Sequence, residues 1–304
     1  MIPNNVFWLF ILLMINQAAD CQSVALTFDD GLDPSRQPQA KKWNQSILTH
    51  LSQAKVRAHF FVTGERVNST DGLRLVKDWS QYGHFIANHT YSHWYFHSED
   101  ISIEQFVQDI KRNEELLEHL DNWNKRFRFP YLKQGNTFEK RDGVRDWLAL
   151  NGYEIGSVSI DASDWYYDQI YRTLLHAGEE EKIKQLRDRY LEHLWERAKY
   201  YDELSQKLLN RSIRHVLLLH TNAINAAFLG DVINMFKQKG WSLIDSEKAF
   251  QDEVYEQQPD ILPAGESILW SIAKSRNVEG LRYPAESKRY EMPKLIKYGI
   301  IIRK

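Results

Sequence analysis

The order of short apolar segments and longer amphipathic segments is the feature of this sequence that most restricts its fold. The apolar segments are typical of buried strands, and the amphipathic segments are typical of helices that pack on a sheet. The predicted strands are 24–31 (ending in a glycine turn), 56–62, 84–88, 126–129, 153–160, 215–219 and 241–244. The predicted helices cover about 36–53, 71–81, 102–120, 139–150 and 222–239. This alternation predicts an α/β fold with a parallel sheet, and the pattern alone fits either a barrel or an open doubly wound sheet.

Two stretches lie outside the alternation. Residues 167–210 are charged and helical with one apolar stripe, and we interpret them as a long helical insertion that covers one side of the domain. A plain supporting helix is favoured over a partner-binding arm. Residues 251–304 are interpreted as a C-terminal extension packed on the domain, with a helical segment at about 266–274, rather than as a second domain.

The N-terminal segment differs from the rest of the chain. Residues 6–15 form an apolar run, VFWLFILLMI, which is too short to span a bilayer as a helix but fits a signal peptide. No Lys or Arg precedes the run, and no clean small-residue cleavage site follows it. We predict a signal peptide at 1–21 and an exported domain, periplasmic or secreted, with no membrane span in the mature chain. An uncleaved N-terminal membrane anchor and a buried N-terminal strand are the alternatives.

Charge balance and cysteine content exclude two kinds of site. The chain has 39 Lys and Arg against 41 Asp and Glu, so no nucleic-acid partner is expected. The single cysteine, Cys21, can form neither an intrachain disulfide nor a thiolate cluster. Any metal site must therefore use histidines and carboxylates.

Two acidic residues, Asp29 and Asp30, stand side by side where the first predicted strand meets Gly31. Neighbouring carboxylates repel each other and are costly to bury unless a cation holds them. Taken alone, this triplet most simply predicts a solvated turn. A metal ion or an arginine as the holding group is the alternative.

A histidine pair, His89 and His93, follows the predicted strand 84–88. Residues at i and i+4 share one face of a helix, so both imidazoles are expected to reach the same ion. Active sites of barrels and open α/β sheets form where the strands end. With Asp30, the pair makes a set of two histidines and one carboxylate, as in a catalytic zinc site with an open position.

Three further polar residues stand near strand ends. Arg128 could keep a carboxylate ionised and oriented, although an ordinary surface cation is the simpler interpretation. Asp164 follows the strand 153–160 within the sequence DASDW. His220 ends a very apolar run, where a histidine is usually a satisfied core residue; beside a metal and a carboxylate it becomes a candidate general acid.

The motifs TFDDG, HTYSH, RFPY, DASDW and LLH, in this order, resemble those of the polysaccharide deacetylase family of carbohydrate esterase type, which has the NodB homology domain. They cover roughly residues 24–220, and the last predicted strand and helix extend the domain to about 250. The resemblance implies a deacetylase domain at 22–250 with a distorted seven-stranded (β/α) barrel. It also implies metal-dependent hydrolysis of N- or O-acetyl groups on sugars.

The resemblance assigns the residues of the first three motifs to a base and a metal. Asp29 corresponds to the general base, and Arg128 corresponds to the residue that holds it. The implied ligands of a divalent metal, with Zn²⁺ as the first candidate, are Asp30, His89 and His93.

The remaining motif residues correspond to groups that contact the acetyl group or the leaving group. The backbone N–H of Tyr131 corresponds to an oxyanion donor, His220 to the general acid, and Asp164 to the partner that tunes this acid. Leu218 and Trp165 correspond to the lining of the acetyl pocket.

The sequence departs from the family pattern at three places. Phe129 stands where proline is common, and Phe85 and Ala87 stand where Glu and Gly are frequent, all outside the ligand positions. The third departure is the long insertion. It leaves the chemical groups intact but weakens analogy of substrate, because such segments border the cleft.

The expected activity is hydrolysis of N-acetyl groups from a polysaccharide or oligosaccharide that contains N-acetylglucosamine, with release of acetate. An O-acetyl esterase on acetylated glycans such as acetylxylan is the alternative enzyme, and a non-catalytic carbohydrate-binding relative is a third reading. A metal-dependent phosphoesterase would need more His and Asp ligands for a second metal. The identity of the glycan and the oligomeric state stay open.

Overall fold

The computed structural model describes residues 22–283 and 287–302. The predicted signal peptide, and the alternatives of an anchor or a buried N-terminal strand, concern residues that lie outside the described ones. Within the described ranges, no helix combines the length and apolar character that crossing a membrane requires.

Parallel strands form the centre of the molecule, and helices pack around them. The strands are β1 (Ser23–Asp30), β2 (His59–Val62), β3 (Phe85–Asn88), β4 (Trp123–Phe127), β5 (Lys133–Gly135), β6 (Glu154–Ile155), β7 (Arg214–His220), β8 (Ser242–Leu243) and β9 (Ala264–Gly265). The main sheet has the order β6-β4-β3-β2-β1-β7, with β8 paired to the start of β1, and all of its pairs are parallel. The predicted α/β fold is confirmed.

The helices of the described residues are α1 (Ala40–Ala54), α2 (Gly64–Val67), α3 (Thr70–Gln81), α4 (Ile103–Leu117), α5 (Phe138–Leu150), α6 (Asp164–Ala177), α7 (Glu180–Leu209), α8 (Ala223–Gln238), α9 (Ser246–Phe250), α10 (Ile268–Ser275) and α11 (Met292–Lys297). The five helices predicted between strands are present as α1, α3, α4, α5 and α8, and further helices accompany them. Sequence signals set several of their ends. At α4, for example, Ser102 and Gln105 form a reciprocal capping box that satisfies two backbone N–H groups.

The sheet curls into a half-barrel, which favours the distorted barrel over the open doubly wound sheet. The segment 156–160 spans the gap between its two edges, because Gly156 N donates to Phe127 O at 2.6 Å and Ile160 pairs with Leu217. The predicted strand 153–160 is therefore wrong in length. It stops at Ile155, and at the next residue, Gly156, the backbone passes so close to the Phe61 ring that a Cβ there would lie 2.5 Å from it.

The insertion predicted at 167–210 contains most of α6 and all of α7, and the apolar stripe of α7 is buried. Leu186, Tyr190, Leu194, Ala198 and Tyr201 are all completely buried, while the opposite face of α7 is charged and solvated. Helix α7 packs against α6, α8 and α10. The stripe therefore acts as a supporting surface within this chain, as the favoured interpretation expects.

The C-terminal extension is joined to the half-barrel by a two-stranded antiparallel ribbon of β5 and β9. Gly265 in this ribbon has φ +125°, and a Cβ there would lie 2.0 Å from Leu132 O. Only glycine fits such a position without moving the backbone. The ribbon thus requires glycine at this point.

We expect Gly265→Ala to lower the free energy of unfolding by at least about 2 kcal/mol, because it combines backbone strain with a clash against a carbonyl oxygen. Urea unfolding measures this. Gly178→Ala is the matched control, because Gly178 also has positive φ (+68°) but has open space where its Cβ would stand. The control should cost about 1 kcal/mol. Equal costs for the two variants would show that the close approach at Gly265 is absent in solution.

Candidate active site

The motif residues meet where β1, β3, β4 and β7 end, because the strand register aligns these ends. Asp29 on β1 stands beside His220 on β7, and Asn88 on β3 stands beside Phe127 on β4. The next residues along β3 and β4 are His89 and Arg128. A cleft of ≈ 600 Å³ opens at this edge. Eight of the ten predicted site residues line it: Asp29, Asp30, His89, His93, Tyr131, Trp165, Leu218 and His220.

Asp29 is buried at the floor of the cleft and is held by Arg128. Arg128 Nη1 donates to Asp29 Oδ1 at 2.6 Å and to Thr27 Oγ1 at 2.9 Å, while its Nε donates to Gly156 O at 2.8 Å. The guanidinium also lies 3.9 Å from the centre of the Phe61 ring. Burial raises the pKa of Asp29 to about 6, although Arg128 and His220 act in the opposite direction. The simpler interpretation of Arg128 as a surface cation is wrong, because the side chain is completely enclosed.

Asp30 points away from Arg128 and towards the histidines. Its Oδ1 lies 3.5 Å from His93 Nε2, and its Oδ2 accepts a hydrogen bond from Arg66 Nη1 at 2.8 Å. Burial raises the pKa of Asp30. The combined effect of His220, Arg66 and His93 is larger and opposite, so the pKa of Asp30 lies below its usual value. Asp30 therefore remains ionised where Asp29 can hold a proton near neutral pH. The solvated-turn interpretation is wrong, since Asp29 is buried and Asp30 is mostly enclosed.

Asp30, His89 and His93 each place a ligand atom within 4.8 Å of the others. His89 Nδ1 lies 2.8 Å from Arg128 O, so it carries the proton and Nε2 is left as an acceptor. Burial lowers the pKa of His89 well below its usual range and that of His93 to about 4, which keeps both imidazoles neutral. Asp30 Oδ1 is buried without a hydrogen-bond partner among the described residues. This donor set fits a divalent cation.

The prediction that His89 and His93 lie on a helix is wrong. The segment is an irregular turn in which Thr90 (φ 61°) and His93 (φ 55°) adopt left-handed backbone conformations. Polar side chains replace the helical hydrogen bonds: Thr90 N donates to Asn88 Oδ1 at 2.9 Å, and Ser92 N donates to Asp109 Oδ2 at 2.8 Å. The turn still brings the two rings together, with their centres 5.0 Å apart.

His220 and Asp164 form a charged pair on the opposite wall of the cleft. His220 Nδ1 lies 2.7 Å from Asp164 Oδ1, and His220 N donates to Asp164 Oδ2 at 2.8 Å. Asn222 and Asn225 donate to the same Oδ2. Burial lowers the pKa of His220, but Asp164 together with Asp30 and Asp29 outweighs this effect, and the net result is a pKa of about 10. His220 is therefore protonated at neutral pH in this environment.

Tyr131 belongs to a short 3₁₀ turn after β4 and has a left-handed backbone (φ 55°, ψ 13°). Tyr131 is 54% exposed, and its ring lies against His93, with ring centres 4.5 Å apart. Trp165 is partly exposed at the rim of the cleft, and Leu218 is almost buried in its wall. These positions bring the three residues to the cleft. Their roles as oxyanion donor and acetyl-pocket lining stay predictions.

Residues of α7 that belong to no motif fix the loop directly before Asp164. His193 Nε2 accepts a hydrogen bond from Ser163 N at 2.9 Å, and Arg197 Nε donates to Asp161 O at 3.1 Å. Both side chains are buried on the apolar face of α7. The sequence contains one indication of this role. A histidine and an arginine stand inside an otherwise apolar stripe, and buried polar groups require hydrogen-bond partners.

Arg66, which contacts Asp30, was not predicted from the sequence. It lies on the short helix α2 and belongs to none of the five motifs. Its only sequence signal is its place just after β2, whose end pairs with the end of β1.

The N-terminal half of this chain is similar to known sequences. Residues 16–147 match the model of the polysaccharide deacetylase family. A peptidoglycan-N-acetylglucosamine deacetylase of Bacillus cereus is 34% identical over 143 residues, which are 47% of this chain and 46% of that protein. A second Bacillus cereus protein of the same name is 40% identical over 90 residues, 29% of this chain and 38% of that protein. The aligned parts cover half or less of these relatives.

Solved structures share the fold. A CE4 esterase of Streptococcus mutans superposes with a TM-score of 0.50 at 22% identity, covering 74% of this chain and 86% of that chain. A polysaccharide deacetylase of Bacillus cereus superposes with a TM-score of 0.50 at 21% identity, covering 74% of this chain and 91% of that chain. The curled parallel half-barrel is therefore common to this chain and these proteins.

Proposed function

We propose that this chain hydrolyses N-acetyl groups of a polysaccharide or oligosaccharide that contains N-acetylglucosamine, releasing acetate. The match of residues 16–147 to the polysaccharide deacetylase family supports the proposal. One observation carries the proposal. Two adjacent carboxylates at the end of β1 are held differently: Arg128 donates to Asp29, whose other oxygen lies 3.6 Å from His89 Nε2, whereas Asp30 forms a cluster with His89 and His93. Both carboxylates face a protonated His220 in one cleft. The names of the matched relatives support the choice of N-acetylglucosamine.

The metal would be held by Asp30, His89 and His93, and Zn²⁺ is the first candidate because of the two neutral imidazoles and one carboxylate. When bound, it would supply Lewis acidity towards the acetyl carbonyl and lower the pKa of water. The side chains already have the protonation states that binding of a cation needs.

Asp29 is the proposed general base. Its carboxylate takes a proton from the attacking water while Arg128 keeps it oriented. The water oxygen forms a bond to the acetyl carbon, and the Tyr131 N–H donates to the oxyanion that develops. His220 then donates its Nε2 proton to the amine as the C–N bond breaks, because Asp164 occupies Nδ1. Leu218 and Trp165 enclose the methyl group of acetate.

The test of this function is an acetate-release screen of residues 22–304, with metal content measured on the same sample. The panel contains N-acetylglucosamine oligomers, peptidoglycan and acetylxylan. Release from the first two supports N-deacetylation, whereas release from acetylxylan alone supports the O-acetyl esterase. Glycan binding without acetate release supports a non-catalytic relative. Such substrates lie outside the cell, which agrees with the proposed export of the chain.

The activity is expected to have a bell-shaped dependence on pH. Asp29 must be ionised, so activity rises as the pH passes its pKa, which is about 6 and which a bound cation would lower. His220 must be protonated, so activity falls as the pH passes its pKa, which is about 10 and which the cation would also lower. The two limbs should therefore lie at or below these values.

Asp164→Asn should move the alkaline limb to lower pH by roughly 1 to 3 units, because it removes the main group that raises the pKa of His220. The pH profile of kcat/KM measures this shift. Asp168→Asn serves as the control, since Asp168 lies one turn further along α6 and also lines the cleft. An alkaline limb that stays in place in Asp164→Asn would assign that limb to another group.

A further inference from the structure

The C-terminal extension forms part of the wall of the active-site cleft. The β5–β9 ribbon begins directly after Tyr131 and Leu132, and Glu266 N donates to Leu132 O at 3.0 Å. Glu266 and Tyr283 line the same cleft as the catalytic candidates. Neither residue lies in the segment 16–147 that matches the family model.

Lys133, Glu266 and Tyr283 form a cluster at this wall. Lys133 Nζ contacts Glu266 Oε1 and lies 2.9 Å from Tyr283 Oη, and the Tyr283 hydroxyl donates to Glu266 Oε1 at 2.7 Å. The side chains of Lys133 and Glu266 are only 12% and 11% exposed, whereas Tyr283 is 40% exposed. The charged groups are therefore fixed in position while one aromatic ring faces solvent.

The cluster retains unused hydrogen-bonding capacity. An ammonium group has three N–H donors and a carboxylate has two oxygens. Among the described residues, Lys133 uses two donors and Glu266 Oε2 accepts none. The carboxyl group of Asp161, in the same wall, also receives no hydrogen bond from the described residues. Burial and the nearby Glu266 raise its pKa to about 7, as expected for a carboxyl group without a donor.

The charges at this wall disfavour an anionic ligand. Glu266 neutralises Lys133, and Asp161, Asp29 and Asp30 add further carboxyl groups to the cleft. At this wall, a sugar carboxylate would meet these groups while the ammonium group of Lys133 is already paired with Glu266. Neutral sugar hydroxyls, in contrast, can both donate to the carboxyl oxygens and accept from the ammonium group. An aromatic ring also packs well against the apolar face of a pyranose.

We propose that Lys133, Glu266 and Tyr283, with Asp161, form a subsite for a neutral N-acetylhexosamine unit next to the unit that loses its acetyl group. The inference rests on the proposed deacetylase function. It gives the C-terminal extension a role in substrate selection. The cleft volume of ≈ 600 Å³ is large enough for a ligand well beyond a single acetyl group.

The test uses Tyr283→Phe and Glu266→Gln, which preserve shape while removing a hydroxyl or a charge. The KM for acetate release from the N-acetylglucosamine tetramer should rise about 5- to 30-fold, as expected when a hydrogen bond to a charged group is lost. Turnover of 4-nitrophenyl acetate, which has no second sugar unit, should stay within about twofold. Tyr298→Phe is the matched control, because Tyr298 lies in the same extension with 47% exposure but does not line the cleft.

Tetramer binding is also titrated by tryptophan fluorescence in the Asp29→Asn background, with and without Tyr283→Phe. Weaker binding in the double variant supports the subsite even when no glycan releases acetate, in which case the proposed function fails alone. Equal losses on both substrates, or unchanged KM and binding, overturn the subsite. A KM increase restricted to a glycan that carries carboxyl groups overturns the assignment to a neutral sugar.

Discussion

Asp29→Asn should reduce acetate release by about 10²- to 10⁴-fold, the usual contribution of a positioned general base. The amide retains the shape of the carboxylate but cannot take a proton from water. Arg128 can still donate to the amide oxygen, so the floor of the cleft should stay in place. The loss should appear in kcat more than in KM, because the proton is transferred in the transition state.

Metal content separates this role of Asp29 from that of its neighbour. The Asp29→Asn protein should bind as much metal as the wild type, since Asp29 is absent from the cluster of Asp30, His89 and His93. Asp146→Asn, at an exposed position on α5, controls for an Asp-to-Asn change in general. Full activity in Asp29→Asn would exclude Asp29 as the base, and loss of metal would place it among the ligands.

The contacts between strand ends could be predicted from the sequence because they depend on local patterns and one general property of parallel sheets. Each motif follows an apolar run, and the carboxyl ends of parallel strands share one edge. Knowing only that Asp29 and His220 end their strands was enough to expect them in one cleft. The register that places them side by side confirms this expectation.

The local conformation between His89 and His93 could not be predicted in the same way. The spacing of two histidines suits a helix, but it also suits a turn with two left-handed residues. Asp109 stabilises the turn. It lies on α4 and accepts hydrogen bonds from the backbone N–H and the hydroxyl of Ser92. Periodicity carries no information about such a distant partner.

Other residues that hold the site in position are distant in sequence from the groups that they contact. His193 on the insertion contacts Ser163 across 30 residues, and Glu266 contacts Lys133 across 133 residues. Neither contact follows from a motif, because each depends on how the added segments pack. The core chemistry therefore lies in short motifs, whereas its positioning depends on the insertion and the extension.

His93→Ala should weaken metal binding at least about a hundredfold, because loss of an outer-shell partner alone costs 10- to 100-fold and a direct ligand contributes more. Asp30 and His89 would remain, and two protein ligands are too few for a catalytic zinc site. Metal analysis after dialysis, together with a Zn²⁺ titration, measures the effect without depending on catalysis. His119→Ala, at an exposed position just after α4, is the matched control and should bind metal as the wild type does. Unchanged affinity in His93→Ala would remove His93 from the ligand set.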